Sequence, residues 1–217
     1  MLRVVIVIAA WGLVAAVGIR MWPDAGAAAT GGNELSAETR AATLRFAPGV
    51  KPKDRAWILA AIQRARPEAQ RLIAEIDGLV EVRTDLPQGE AIGLAEMTMD
   101  RAVVSFDART LNGVRALDRE VVVLHELGHV VDFQLVDDEL VRQLDAQIPR
   151  VGDCGDSAML PTGACTAVEE RFADTFAKWA LRGRISLAGS GYGIPAPASI
   201  EDWGRPLGLL AAQLNAR

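Results

Sequence analysis

His125-Glu126-Leu127-Gly128-His129 contains the only two histidines of a 217-residue chain, four apart, with a glutamate directly after the first. In a helix, residues four apart stand one turn above each other on the same face, so both imidazoles can reach one metal ion. Glu126 leaves such a helix about 100° round from His125. Its carboxylate can then touch a water beside the metal without becoming a ligand. A zinc ion held this way lowers the pKa of its water to about 7 and polarises a carbonyl, while the carboxylate takes and returns the proton. The expected chemistry is therefore hydrolysis at a carbonyl, with His125 and His129 as metal ligands and Glu126 as general base. The bland alternative, two core histidines beside an acid, needs both histidines of the chain to fall at ligand spacing by accident.

Two imidazoles and a water leave one protein ligand of a four-coordinate ion to be found. A three-histidine site is excluded by counting. Asp132 and Leu135 stand where the longer HExxHxxGxxH pattern has glycine and histidine. The missing ligand is expected to be an oxygen, and Glu170 is the first choice. It opens the helical stretch Glu170-Arg171-Phe172-Ala173-Asp174-Thr175-Phe176-Ala177, whose Phe172 and Phe176, with Trp179, form an apolar face. Asp174, one turn after Glu170, shares its face and can accept a hydrogen bond from the distal nitrogen of a ligand histidine. Glu169 and Asp132 are the rival ligands, the latter seven residues after His125 and three after His129. For Glu169 and Arg171 a solvated position is the default. One Zn2+ per chain is expected.

The elements that must position these groups follow from periodicity. Residues 118–133 form the clearest helix, with Asp118 as its N-cap; residues 137–147, 166–181 and 203–214 are three more. Residues 52–66 form a helix that residues 67–76 continue after a kink at Pro67. Residues 79–84, 91–97 and 102–106 alternate like short strands. Strands early and helices late predict an α+β fold with a short mixed or antiparallel sheet packed on the active-site helix and the helix of the third ligand.

Composition narrows the class further. Half of the residues are hydrophobic and 24% are charged, which suits one packed domain rather than a disordered chain. With 23 basic against 28 acidic residues and no Lys/Arg cluster, nucleic-acid binding is disfavoured. Two cysteines exclude a disulfide-dense scaffold and a four-thiolate zinc site. Residues 4–19 are an uncharged apolar run between Arg3 and Arg20, extensible through Trp22 if Arg20 snorkels. Residues 1–22 are accordingly read as a membrane anchor, or alternatively as a signal cleaved near Ala27–Ala29. Either reading exports the rest, with residues 4–22 as the membrane contact. Residues 23–36 lack periodicity and read as a tether, and residues 37–217 as the folded domain. In an exported domain Cys154 and Cys165, which frame a Gly/Pro/Ser/Thr-rich loop, are expected to form a disulfide that clamps the approach to Glu170.

HELGH followed by the E-x-F-A-D-x-F-A helix resembles the gluzincin metallopeptidases, in particular the minimal members and the compact ImmA/IrrE-like domains, over residues 102–181. The resemblance implies a zinc ion on His125, His129 and Glu170, Glu126 as general base, and Asp174 behind a ligand histidine. It also implies a peptide or protein substrate, bound by strand addition to an edge strand at residues 102–106. Larger gluzincins steady the oxyanion with a downstream His or Tyr. No third histidine exists here, and Tyr192 in a glycine-rich loop is the one candidate for that role. The rival expectation is a non-catalytic, zinc-stabilised envelope module that binds a peptide or a partner protein.

Overall fold

Twenty residues, Ala116–Leu135, form the helix that carries both histidines. The structure, a computed structural model, describes residues 5–8, 44–89, 91–150, 166–182 and 193–216. Among them the strands are β1 (Val5–Ile8), β2 (Arg45–Phe46), β3 (Val80–Arg83), β4 (Gly93–Met97) and β5 (Ala102–Phe106). The helices are α1 (Pro52–Arg64), α2 (Pro67–Glu75), α3 (Ala108–Leu111), α4 (Ala116–Leu135), α5 (Asp138–Asp145), α6 (Val168–Ala180) and α7 (Ile200–Leu214). The fold is α+β, as expected.

The sheet order is β1-β4-β5-β3-β2. Strands β2, β3 and β5 run parallel, while β4 is antiparallel to β5 and to β1. Parallel neighbours need a crossover, and α1 and α2 supply it between β2 and β3. The hairpin closed by Thr98 N–H on Arg101 O (2.8 Å) folds β4 onto β5. With β3 on its other side, β5 is an interior strand. The expected peptide-binding edge at Ala102–Phe106 is therefore corrected: β4 stands on the helix side of the hairpin and β5 is enclosed.

The kinked helix expected over residues 52–76 is two helices. Lys51 and Arg66 both precede prolines and are extended (ψ 148° and 152°), because the proline ring crowds the helical conformation of the residue before it. Each proline then starts its helix where a missing N–H does no harm. Arg66 N–H donates to Ala180 O (2.8 Å), and its guanidinium lies 4.7 Å above the Trp179 ring, so the break grips the end of α6. Helix α4 starts earlier than its pattern suggests. Asp118 is not the cap; it sits inside the first turn and pairs with Arg115 (2.9 Å), where an acid still favours the positive end of the helix dipole. Helix α7 likewise begins before Trp203, capped by Ser199 Oγ accepting from Asp202 N–H (3.1 Å).

Helix α4 is buried all round over residues 120–131 because it is covered by α1, α6 and β4. Outside it, Phe172, Phe176, Trp179 and Trp203 stack in sequence at centroid distances of 5.8–6.5 Å across α6 and α7. The apolar face read for α6 is thus real. Trp203 Nε1 donates to Leu144 O (3.2 Å), joining α7 to α5. Of the apolar N-terminal run, the described part is the strand β1. No helix among the described residues is long and apolar enough to cross a membrane.

The seam between α6 and α7 leaves no space at Gly204, where an added Cβ would lie 1.9 Å from Trp179 Nε1. At Gly208 the nearest atom, Glu68 Cγ, is 3.8 Å away. Gly204→Ala should therefore destabilise by about 1–3 kcal/mol through overpacking. Gly208→Ala should stabilise by about 0.5–1 kcal/mol through reduced chain entropy. Thermal denaturation of the two variants, one turn apart on one helix, should show midpoints moving in opposite directions.

Candidate metal centre

His125 and His129 emerge one turn apart on α4, and α6 crosses that face carrying Glu170 toward them. His125 Nε2 lies 3.1 Å from His129 Nε2 and 3.1 Å from Glu170 Oε2, and Glu170 Oε1 lies 3.8 Å from His129 Nε2. The two imidazoles meet edge to face at 4.7 Å. All three residues are buried, and together they form a group that can hold a metal ion. Asp132 and Glu169, the rival ligands, are not part of it.

The donor set fits a cation on physical grounds. Burial above all pulls the pKa of His125 down to about 4 and that of His129 to about 3, so both rings are neutral near pH 7. Burial also pushes the Glu170 carboxyl up, with His129 opposing. A neutral His125 Nε2 offers one hydrogen or one lone pair. It can satisfy one of its two 3.1 Å neighbours and not both, whereas a cation at the centre satisfies all three. Two nitrogens bound tetrahedrally to zinc stand about 3.3 Å apart, close to the spacing of these imidazoles.

Glu126 comes off α4 toward β4 and is only 1% exposed. Its Oε2 has no hydrogen-bond partner among the described residues. Burial first, and the charge of Glu170 second, push its carboxyl well above the ordinary glutamate range. A Cβ at position 93 would lie 2.4 Å from Glu126 Oε1, so only the bare backbone of Gly93 leaves room for this side chain. The glutamate thus sits between the ligand group and the start of β4.

Behind His125, Asp174 and Lys178 form a buried ion pair (Oδ2 to Nζ, 2.6 Å), and Lys178 also donates to Ile194 O (2.6 Å). The Asp174 charge raises the His125 pKa and that of Lys178 lowers it, both weaker than burial. Asp174 thus acts on His125 through its charge, under restraint from Lys178, which the sequence reading missed. The acid-to-lysine spacing of four was its one available signal. Arg171 corrects its expected solvated position: its guanidinium is fully buried, held by Asp145 Oδ1 (2.6 Å) and Ile148 O (2.8 Å). A charged group enters the interior when a partner and carbonyls receive it, and α5 supplies both. Glu169 is exposed. Cys154, Cys165 and Tyr192 lie outside the described residues.

No protein-family model, no curated protein and no solved structure matches this chain.

Gly128, inside the motif, sets the distance between the two ligand helices. A Cβ there would meet Phe176 Cδ1 at 3.1 Å and Ala173 Cα at 3.2 Å. Gly128→Val, with two further methyl groups, must push α6 outward and carry Glu170 away from the histidines. Metal affinity should fall by roughly 10–100-fold, the range for losing a group that orients a ligand. Competition titration with a zinc chelator measures it, and unchanged affinity would contradict this account of the helix contact.

Asp132 yields a pH prediction. Although half-buried, its carboxyl is pushed up to about 7, chiefly by burial and then by Glu169 and Asp138. An unfolded aspartate loses its proton near the usual 3.8. Between these values the folded chain holds the extra proton, so stability falls as pH rises toward 7 and the penalty is complete above it. Asp132→Asn removes the penalty. Its melting temperature should match the wild type near pH 4 and exceed it increasingly up to pH 7, with a constant gap beyond.

Proposed function

We propose that this protein is a zinc-dependent peptide hydrolase. The observation that carries the reading is the convergence of His125 Nε2, His129 Nε2 and a Glu170 carboxylate beside a buried, underbonded Glu126. Two imidazoles and a carboxylate suit zinc, and an HExxH helix supplies the glutamate that such hydrolysis needs. His125, His129 and Glu170 would hold the ion, which would supply Lewis acidity to a substrate carbonyl and acidify adjacent water. Glu126 does the proton work. Its free Oε2 accepts the proton of the attacking water and returns it to the departing amine. A carboxyl raised above its ordinary range is suited to both tasks, because it holds a proton more readily and can release it again. Asp174 and Lys178 hold the His125 ring in one electrostatic setting.

One observation favours the rival reading of a non-catalytic zinc module. The ligands and Glu126 are almost wholly withdrawn from solvent, and a peptide must reach them. The two readings part on a pair of variants. Glu126→Gln keeps the side-chain volume, so zinc should remain stoichiometric while cleavage of a peptide library drops by roughly 10²–10⁴-fold. His129→Ala deletes a ligand, so zinc content and melting temperature should both fall. Wild-type cleavage by Glu126→Gln would refute the general-base role. Zinc bound in wild type and variant alike, with no cleavage by either, would leave the binding module as the better description.

A further inference from the structure

We propose that the chain's own residues Val5–Ile8 occupy the peptide-binding edge of the sheet, so that β1 competes in cis with any substrate strand. The inference rests on the hydrolase reading of the metal centre and adds how that centre is covered.

Glu126 fixes where a peptide has to lie. Its carboxylate packs on Gly93 at the start of β4, so a chain running along β4 passes the proton-transfer group. One side of β4 is already committed. Thr98 N–H donates to Arg101 O, and Asp107 N–H donates to Ile92 O, both across to the β5 side. Peptide groups alternate along a strand, so Leu94 and Glu96 also aim their N–H groups at β5. The N–H groups of Gly93, Ala95 and Met97 point the other way, toward the free edge. There β1 runs antiparallel, with Val5 opposite Met97, Ile6 opposite Glu96, Val7 opposite Ala95 and Ile8 opposite Leu94. The pairing ends one residue short of Gly93. The same alternation makes Val5 and Val7 the residues whose N–H groups face β4, while those of Ile6 and Ile8 face away.

This is the geometry of a peptide added to an open sheet edge, and the occupant is a segment of the same chain. Thirty-five residues separate Ile8 from Leu44, the next described residue. A strand tethered by a linker of that order meets its site at an effective concentration on the order of millimolar. A peptide in trans, using the same backbone hydrogen bonds, loses to it at micromolar concentration. The resting protein is self-occluded, and its activity is set by how often β1 leaves.

The test uses the full chain loaded with zinc, read by residue-resolved amide hydrogen exchange and by cleavage of an unstructured peptide library. Val5→Pro/Val7→Pro removes the two donors that face β4. Ile6→Pro/Ile8→Pro removes donors that face away, which an edge strand tolerates. The first double variant should exchange the Ala95 and Met97 amides at least tenfold faster than wild type and cleave peptides several-fold faster. The second should keep wild-type exchange at those amides. Equal exchange at β4 in all three proteins would overturn the proposal. Loss of protection at Val104 in the first variant would also overturn it, because β1 would then be structural rather than displaceable. Freed β4 amides with cleavage unchanged from a measurable wild-type rate would overturn the competition. Freed amides with no cleavage by any zinc-loaded protein would keep β1 at the edge and instead refute the hydrolase reading.

Discussion

Helices α4 and α6 touch backbone to backbone at Gly128 and Ala173, and His125, His129 and Glu170 come together because nothing larger than hydrogen stands between the helices. A Cβ at Gly128 would come within 3.2 Å of Ala173 Cα and 3.4 Å of its carbonyl oxygen. At that separation Glu170, three residues before Ala173, reaches His125 and His129, one residue after Gly128. The aromatic stack on the outer side of α6 presses it inward, and α7 backs that stack. The ligands are short side chains on rigid helices, so their positions follow the helix axes with little freedom to compensate. Packing and chemistry are therefore one constraint in this fold.

The interior holds an unusual amount of ionisable matter for a domain of this size: Glu126, Glu170, Asp174, Lys178 and Arg171 are all buried beside two neutral histidines. Two different solutions are used. Asp174 with Lys178, and Arg171 with Asp145, are matched pairs whose remaining donors find the carbonyls of Ile194 and Ile148. Among the described residues Glu126 and Glu170 have no such cation, and their carboxyls rise in pKa instead. A buried carboxyl that lacks a counter-charge is held at the expense of stability, and a dication is the natural remedy. Binding energy at the centre would then feed directly into the folding of the two helices that carry its ligands.

What could be read in the sequence was local. The shared face of His125 and His129 follows from helical period alone, and Glu170 follows from the apolar residues that orient α6. The α+β class likewise followed from the order of short strands and longer helices. Pairing was not legible. β2 has only two residues and no pattern, so the parallel crossover through α1 and α2 left no trace. Whether Ala102–Phe106 lies inside the sheet or at its edge depends on β3, whose Val80 pairs with Ala102 from beyond β4 in sequence. Arg171 and Lys178 were unreadable as interior residues because charged side chains default to the surface. Gly93 and Gly128 carried no signal by type, since what matters at each is the neighbour that a methyl group would strike. The Asp118 cap failed for a milder reason: an acid within the first turn and an acid at the cap look alike in one dimension.

The placement of β1 has a colloidal side as well. A bare β4 would present three unpaired N–H groups and their intervening carbonyls beside the buried side chains of Ala95 and Met97. Such an edge templates any extended chain, including the same edge of a second molecule. Native sheets usually shield that hazard with charge, proline or a bulge, and in β4 only Glu96 belongs to that set. Here the shield is a strand, β1, that the chain carries with it. Truncated forms that lack the N-terminal run would face dimerisation or fibrous growth along β4 in proportion to their concentration, which makes the intact N-terminus a determinant of solubility.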